Sequence, residues 1–492
     1  MLSLRCLAFN VRRSMFLSIL IMETIQGSEP RMPDPDKPYP VTVLGYPAEM
    51  IGPKETYARV SEQIAGIPLK HPHPKFWLIA FALAGAMFLL FCIAVGYLLY
   101  RGVGIWGINI PIAWGFAITN FVWWIGIGHA GTFISAILLL LHQKWRTTIN
   151  RFTEAMTLFA VMCAGLFPLL HLGRPWVFFW LLPYPDTMSL WPQFRSPLVW
   201  DVFAVSTYFL VSLMFWYLGV MPDLATVRDK AKTKWKKIIY GMSCLGWRGS
   251  ARHWQHHQSA YLLLGGLATP LVLSVHSVVS FDFSVAQLPG WHSTLFPPYF
   301  VAGAIYSGFA MVLNLLIPIR RLYGLQNLIT TRTLNNMACV MLVTGWMVIY
   351  GYIMEAFMAW YSNDPFEKHM MWDRAFGAYG WVFWGLMTLN CVIPQLLWSR
   401  RVRTNGLYLF LVALSVNVGM WVERFVIVVQ SLHHDFVPSS WKMYYPTKWD
   451  VFTLLGSIGL FLMLLLLFIR YVPMISITES RELIAQRKEG QL

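Results

Sequence analysis

The sequence predicts an all-α polytopic membrane protein of about ten transmembrane helices. The prediction rests on three observations: 57% of the 492 residues are hydrophobic, only 12% are charged, and apolar segments of membrane-spanning length recur along the chain. Soluble domains carry roughly 25% charged residues. No soluble fold accommodates the deficit.

A spanning helix needs roughly 20 mostly apolar residues, at about 1.5 Å each, to cross a hydrocarbon core about 30 Å thick. The qualifying segments are 76–100, 111–141, 153–172, 198–220, 257–282, 298–319, 334–361, 374–398, 405–431 and 449–471. The second is long enough to tilt or to begin as an interfacial turn. Pro168, Pro270, Pro318 and Pro394 fall inside or near the ends of spans, where neighbouring helices can satisfy the freed carbonyls, and Pro270 is expected to kink the fifth.

The even count allows two four-helix bundles, helices 2–5 and 6–9, flanked by helix 1 on one side and helix 10 on the other. The chain then divides into an N-terminal tail (1–75), flanking helix 1 (76–110), a first bundle (111–282), a second bundle (283–431), and flanking helix 10 with the C-terminal tail (432–492). No sequence repeat relates the bundles, so the division is geometric. Arg5, Arg12 and Arg13 precede a short apolar stretch, 15–22, that lacks a small-residue cleavage site, so a signal peptide is not expected. Met22 or Met32 would serve equally well as a start. Residues 29–74, rich in proline and polar residues, read as an extended tail.

Lys and Arg between the segments give the orientation. One alternate set of loops (142–152, 221–256, 320–333, 399–404) holds seventeen, and the other holds six. The positive-inside rule then puts both termini of this inner-membrane chain in the cytoplasm. The net charge of +15 is distributed over those loops and builds no continuous basic face, so a lipid surface is the expected partner and nucleic acid is not. Trp106, Trp176, Trp191, Trp291, Trp360 and Trp441 lie near segment ends, as in an interfacial aromatic belt. The six cysteines show no C-x-x-C, no haem-attachment motif and no cluster-binding run, so no metal, covalent haem or iron–sulfur cluster is expected on this chain.

A charge at mid-membrane costs roughly 2.5–3.5 kcal/mol on insertion scales, so each needs a reason. Helix 2 carries His129 in GHAG (128–131). Helix 3 ends in HLGRPW (171–176), helix 4 opens with SPLVWDVF (196–203), and helix 5 ends in SVHSVVSFDF (274–283). With alternating directions, His171, Asp201 and Asp282 converge near the outer end. His276 lies about six residues, or roughly 9 Å, deeper than Asp282, and His129 deeper still.

Each has a plain structural alternative. Asp201 follows Ser196 and Pro197, a helix start whose dipole favours an anion. His171 sits in a last turn, where a cation is favoured. His129 and His276 each read as a core histidine on an apolar face. Asp282 is harder to dismiss, because a carboxylate meets the negative end of its helix, and Arg174 is a candidate partner for it or for Asp201. Such a cluster suits a hydroquinone, which loses two protons with its two electrons and needs acceptors beside an apolar slot.

In the second bundle, Glu355 in helix 7 and the Glu423–Arg424 pair in WVERF (421–425) are expected to act either as an inter-helix polar lock or as a proton relay assisted by Asn314 and Asn390. Adjacent residues on a helix do not face each other, so Glu423 and Arg424 are expected to pair across helices.

Taken in order, GHAG, HLGRPW, SPLVWD, HSVVSFDF, NCVIPQ (390–395) and WVERF resemble the NrfD/polysulfide-reductase membrane-subunit family. The likeness covers roughly residues 70–475, and within the family the sequence is most similar to the larger quinol-oxidising integral subunit of bacterial alternative complex III. The resemblance implies a quinol pocket at the outer end of the first bundle, with His171, Asp201 and Asp282 in it and Arg174, His276 and His129 nearby. It also implies quinol as bound substrate, no haem on this chain, and a peripheral iron–sulfur protein on the outer face that passes electrons to haem c subunits. A homologous second membrane subunit and a proton-carrying second bundle through Glu355 and Glu423 complete the expectation.

Two other classes compete. A secondary transporter also buries charges in two helical units, but usually centres its site at the midplane on broken helices. A haem b cytochrome needs axial histidine pairs. His129, His171 and His276 are the candidates, but their estimated depths differ and helices 6–9 offer no second pair.

Overall fold

The computed structural model describes residues 50–182 and 192–488. The apolar stretch 15–22, Cys6, Trp191 and most of the expected N-terminal tail lie outside the described residues. Among those residues every regular element is helical, and ten helices are long and apolar enough to cross a membrane. They are α1 (Pro74–Arg101), α2 (Phe116–Leu140), α3 (Asn150–His171), α4 (Pro197–Lys230), α5 (Ala251–Ser284), α6 (Phe296–Leu322), α7 (Thr331–Tyr361), α8 (Gly380–Trp398), α9 (Gly406–His433) and α10 (Lys448–Tyr471).

Each expected segment has its helix, and the differences have local causes. Helix α2 starts at Phe116, because residues 107–115 are tied to the extended approach to α10: Gly107 N donates to Asp450 Oδ2 (2.9 Å) and Asn109 Nδ2 to Met443 O (3.0 Å). Residues Pro365–Phe376 form a separate short helix that stops at Gly377, so Asp373 and Arg374 do not belong to α8. Helix α5 runs through Pro270 as one helix. The irregularity appears at Pro394, where α8 passes from a π turn (Thr388–Val392) to a 3-10 turn (Ile393–Trp398), as expected where a proline removes a backbone donor.

In the packing α2 to α5 contact one another in sequence, α6 to α9 likewise, and α2 contacts both α6 and α9 while α5 also packs on α6. Helix α2 is central, with every residue from Phe116 to Thr132 buried. Gly131 permits this, since a Cβ there would stand 2.0 Å from Thr157 Oγ1 and 2.1 Å from Thr153 O on α3. The flanking helices do not take opposite sides. Helices α1 and α10 pack on each other, because Gly456 and Gly459 of α10 let the α1 backbone approach until an added Cβ would meet Phe91 Cβ at 2.4 Å and Met87 Cβ at 2.5 Å. Small residues permit such close approach where lipid supplies no hydrophobic drive. Of the expected aromatic belt, Trp176 and Trp360 are exposed, whereas Trp106 and Trp291 are buried, and Trp291 Nε1 donates to Ile427 O (2.6 Å).

Two terminal helices close the end of the bundle where α4 ends and α5 begins. Part of the expected extended tail is helical: Tyr57–Lys70, opened by Thr56, whose hydroxyl accepts from Arg59 N (3.3 Å). The C-terminal helix Ile477–Lys488 packs on it, with Arg481 Nε donating to Ser61 Oγ (2.7 Å) and Arg487 Nη1 to Gly52 O (2.6 Å). Asp223 at the end of α4 caps that helix, accepting from Ile477 N (3.0 Å) and Thr478 N (3.1 Å). Beside it, Arg151 pairs with Glu154 (3.1 Å), Asp223 (3.5 Å) and Glu479 (3.0 Å), and Arg146 with Glu479 (3.2 Å). Arg146 and Arg151, which the loop count treats as solvated charges, are buried ties.

Burial pushes the Glu479 carboxyl up, but Arg146 and Arg151 more than offset this and hold it below the ordinary glutamate range. A depressed folded value means that the stabilisation is complete above the unfolded value, about 4.3, and is lost as pH falls through the lower, folded one. Amide protection of Ile477–Lys488 is therefore expected to hold from neutrality down to that range and to collapse below it. Loss of protection already between neutral and mildly acidic pH would count against the ion-paired docking.

Candidate functional site

Three helix ends build the site. His171 is the last residue of α3. Helix α4 opens at Pro197, whose fixed φ suits a first helical position, and Asp201 lies one turn in. Asp282 stands two residues before the end of α5 at Ser284. All three face one cavity of about 350 Å³. Apart from Ser206 its remaining walls are apolar, with Trp114, Ile118 and Phe121 leading into and along α2, Leu169 and Leu172 at the end of α3, Phe178, Leu181 and Leu182 beyond it, and Leu198, Val202 and Val205 on α4.

Asp201 and Asp282 are 6% and 8% exposed and their carboxyls stand within hydrogen-bonding reach of each other, yet neither oxygen of Asp201, nor Oδ1 of Asp282, nor Nδ1 of His171 meets any other partner among the described residues. A buried polar group left unpaired costs about 1–3 kcal/mol, so a cluster of polar atoms with no partner outside it, around one apolar slot, reads as a place kept for a ligand. The helix-dipole alternative for Asp201 weakens, because no acid lies in the first turn of α4 and the dipole effect falls off within that turn. Arg174 is exposed and, among the described residues, pairs with neither carboxylate.

His129 and His276 do not line the cavity. Their depths coincide, contrary to the sequence estimate: the rings touch, with centroids 4.6 Å apart at 61°, leaving no room between them for a planar macrocycle. His129 Nδ1 bonds Ile125 O (2.7 Å), while both nitrogens of His276 have no hydrogen-bond partner among the described residues. Tyr208, two residues beyond the cavity-lining Ser206, packs on His129 (5.3 Å) and bonds Thr132 Oγ1 (2.8 Å) and Gly128 O (3.0 Å).

The second bundle corrects two expectations. Glu423 and Arg424 pair with each other, Nη1 to Oε1 at 3.1 Å, because the long arginine side chain curls back across the 100° between them. Its guanidinium also lies over Phe300, 4.1 Å from the centroid. Glu355 pairs with Arg374 of the short helix (2.5 Å), not with the Glu423 group. Glu423 accepts from the Tyr352 hydroxyl and from Asn390 Nδ2 (3.4 Å), and Asn390 also donates to Tyr352 (3.0 Å). Asn314 stands apart from these, donating instead to Asn417 (3.0 Å), whose amide also donates to Ser307 O (3.1 Å).

Sequence reasoning missed Arg374, Tyr352 and the cavity's apolar walls. Arg374 lies in a segment that reads as the start of a span, and no local signal links it to Glu355.

The family model described as "Polysulphide reductase, NrfD" matches residues 104–434, a stretch that contains every cavity-lining residue and both bundles. The chain is 28% identical to a membrane subunit of a putative dimethyl sulfoxide reductase of Halobacterium salinarum over 233 residues, 46% of this chain and 49% of that protein. It thus spans about half the length of that relative. It is 22% identical to a subunit of the selenate reductase of Mesobacillus selenatarsenatis over 379 residues, 73% of this chain and 86% of that one.

Proposed function

The chain belongs to the NrfD, polysulphide reductase, family, and from that premise we propose that it is the quinol-oxidising membrane subunit of a redox complex of the alternative complex III type. The observation that carries the reading is the cavity with His171, Asp201 and Asp282 at one end of the first bundle, a polar cluster whose buried atoms meet no partner outside it among the described residues, between largely apolar walls. About 350 Å³ suits a quinol head group with the start of its isoprenoid tail, at the small end of the usual range for ligand sites.

The chemistry follows from the donor set. A quinol gives up two protons and two electrons to become quinone. His171 Nδ1 and an Asp201 oxygen accept the two protons, and Asp282 orients the second hydroxyl or shares its proton. The electrons leave one at a time to an iron–sulfur protein docked over this end, and from it to haem c subunits. Seventeen Lys and Arg in the loops of the opposite end, against six here, support an outward-facing site in the bacterial inner membrane with both termini inside. A second, homologous membrane subunit belongs to the same reading.

No haem is assigned to this chain, since its two deep histidines pack against each other. A cavity at a bundle end, away from the midplane, favours this reading over a transporter. In the second bundle Glu355 meets Arg374 of the short helix, and Glu423 meets its neighbour Arg424 together with Tyr352 of α7 and Asn390 of α8, contacts that support an inter-helix lock.

A photoreactive azidoquinone is expected to label the cavity walls, chiefly the ends of α3 and α4 between Leu169 and Val205, and to be displaced by unlabelled quinol. Labelling confined to α6–α9 would place the quinol elsewhere and overturn the reading.

A further inference from the structure

Independently of the quinol reading, we propose that Asp373, His433 and His434 form a binding site for one divalent transition-metal ion of the zinc class. The site lies at the end of the second bundle, where the short helix Pro365–Phe376 meets the end of α9. The sequence offers no hint of it, because its cysteines carry no ligand spacing and sixty residues separate Asp373 from the two histidines.

One ligand atom from each residue lies within 4.8 Å of the others. His433 Nε2 stands 3.4 Å from Asp373 Oδ2, and His434 Nδ1 stands 3.1 Å from Asp373 Oδ1. Ligands held at about 2.0–2.2 Å around a tetrahedral ion stand roughly 3.3 Å from one another, which these separations match. Both ring nitrogens stand within ion-pairing reach of the Asp373 carboxylate, contacts that an ion held among the three residues would replace.

The surroundings are those of a metal ligand set. His433 Nδ1 bonds the Gln430 carbonyl (2.8 Å), which fixes its proton there and leaves the Nε2 lone pair directed toward Asp373. Gln430 in turn donates to Arg374 O (3.1 Å), so the two ligand-bearing segments are clamped together. Arg374 commits its guanidinium to Glu355 (2.5 Å) and Ser431 (2.8 Å) and forms no ion pair with its neighbour Asp373 among the described residues. Two imidazoles and one carboxylate leave coordination positions open for water, a donor set that suits zinc, cobalt or nickel.

The rings of His433 and His434 lie stacked, 3.9 Å apart at 14°, so an ion in the plane of one is out of the plane of the other. Binding therefore turns His434 out of the stack. His433 is pinned by Gln430, whereas the His434 side chain is 25% exposed and turns by giving up its stacking on His433 and Trp441 and its 3.1 Å contact with Asp373 Oδ1.

The test is equilibrium dialysis of the full chain, purified without a histidine tag and stripped with chelator, against buffered Zn²⁺. About one equivalent per chain is expected to be retained, with a raised unfolding midpoint in zinc. Asp373→Asn, which keeps the size of the side chain, and His434→Gln are each expected to weaken retention at least tenfold and to abolish the zinc-dependent shift. His292→Ala, at an exposed histidine of another loop, should change nothing. Retention well below one equivalent, or retention that survives Asp373→Asn, overturns the proposal.

Discussion

Asp201→Asn is expected to lower quinol turnover by about 10²–10⁴-fold, the usual contribution of a positioned proton acceptor, while the complex assembles as before. Both parts of that expectation come from the same observation. Among the described residues the Asp201 oxygens meet no partner other than the Asp282 carboxyl, so the amide removes a base and keeps a group that can still bond Asp282. Asparagine also preserves the size of a side chain that is 6% exposed and the turn that Pro197 begins. The loss should fall on kcat more than on KM, since apolar walls supply most of the contact with a quinol head group and are unchanged. Asp282→Asn should cost less, and the double variant should lose less than the product of the singles, because the two carboxyls face one cavity and one substrate. Full turnover in Asp201→Asn complexes of normal composition would remove the site from this cavity.

The legible part of this molecule is the part that bilayer thickness dictates. Ten apolar segments give ten helices, because a span must satisfy its own backbone and so can be read from length and hydropathy alone. His171, Asp201 and Asp282 were legible for the same reason, since depth along a span of known direction is arithmetic in rise per residue. Depth estimates failed for His129 and His276, which touch, because α2 starts at Phe116, later than its expected 111, and α5 ends at Ser284, beyond its expected 282, which together bring the two depths level. Pairings between helices were not legible. Arg374 meets Glu355 only because Gly377 ends a short helix and folds it against α7, and nothing within either segment encodes that meeting. Glu423 and Arg424 show the opposite error: periodicity keeps Cβ atoms apart, but a long guanidinium side chain crosses the gap.

Arg151→Met is expected to destabilise the chain by about 3–5 kcal/mol, the cost of breaking a buried ion pair from one side. The count in the loops makes Arg151 one of many surface cations, and the structure makes it the centre of a buried group. Its side chain is 3% exposed and those of Glu154 and Asp223 are 2% and 0%, so solvent screening relieves little of the loss. Its three nitrogens face three different acids, and Nη1 also donates to Tyr261 Oη (3.0 Å). Arg151→Lys should therefore recover only part of the stability, since one ammonium cannot serve the directions that a planar fork serves. The damage should be local first: Asp223 and Glu479 hold the C-terminal helix, so limited proteolysis is expected to cleave within Ile477–Lys488 before the membrane domain unfolds. Pairing Arg151→Met with Glu479→Met should restore little of the loss, because Glu154 and Asp223 stay buried without their cation and Arg146 loses its own partner. A single variant as stable and as protease-resistant as the parent would mean that the cluster is hydrated, and that the C-terminal helix is held by its packing on Tyr57–Lys70 alone.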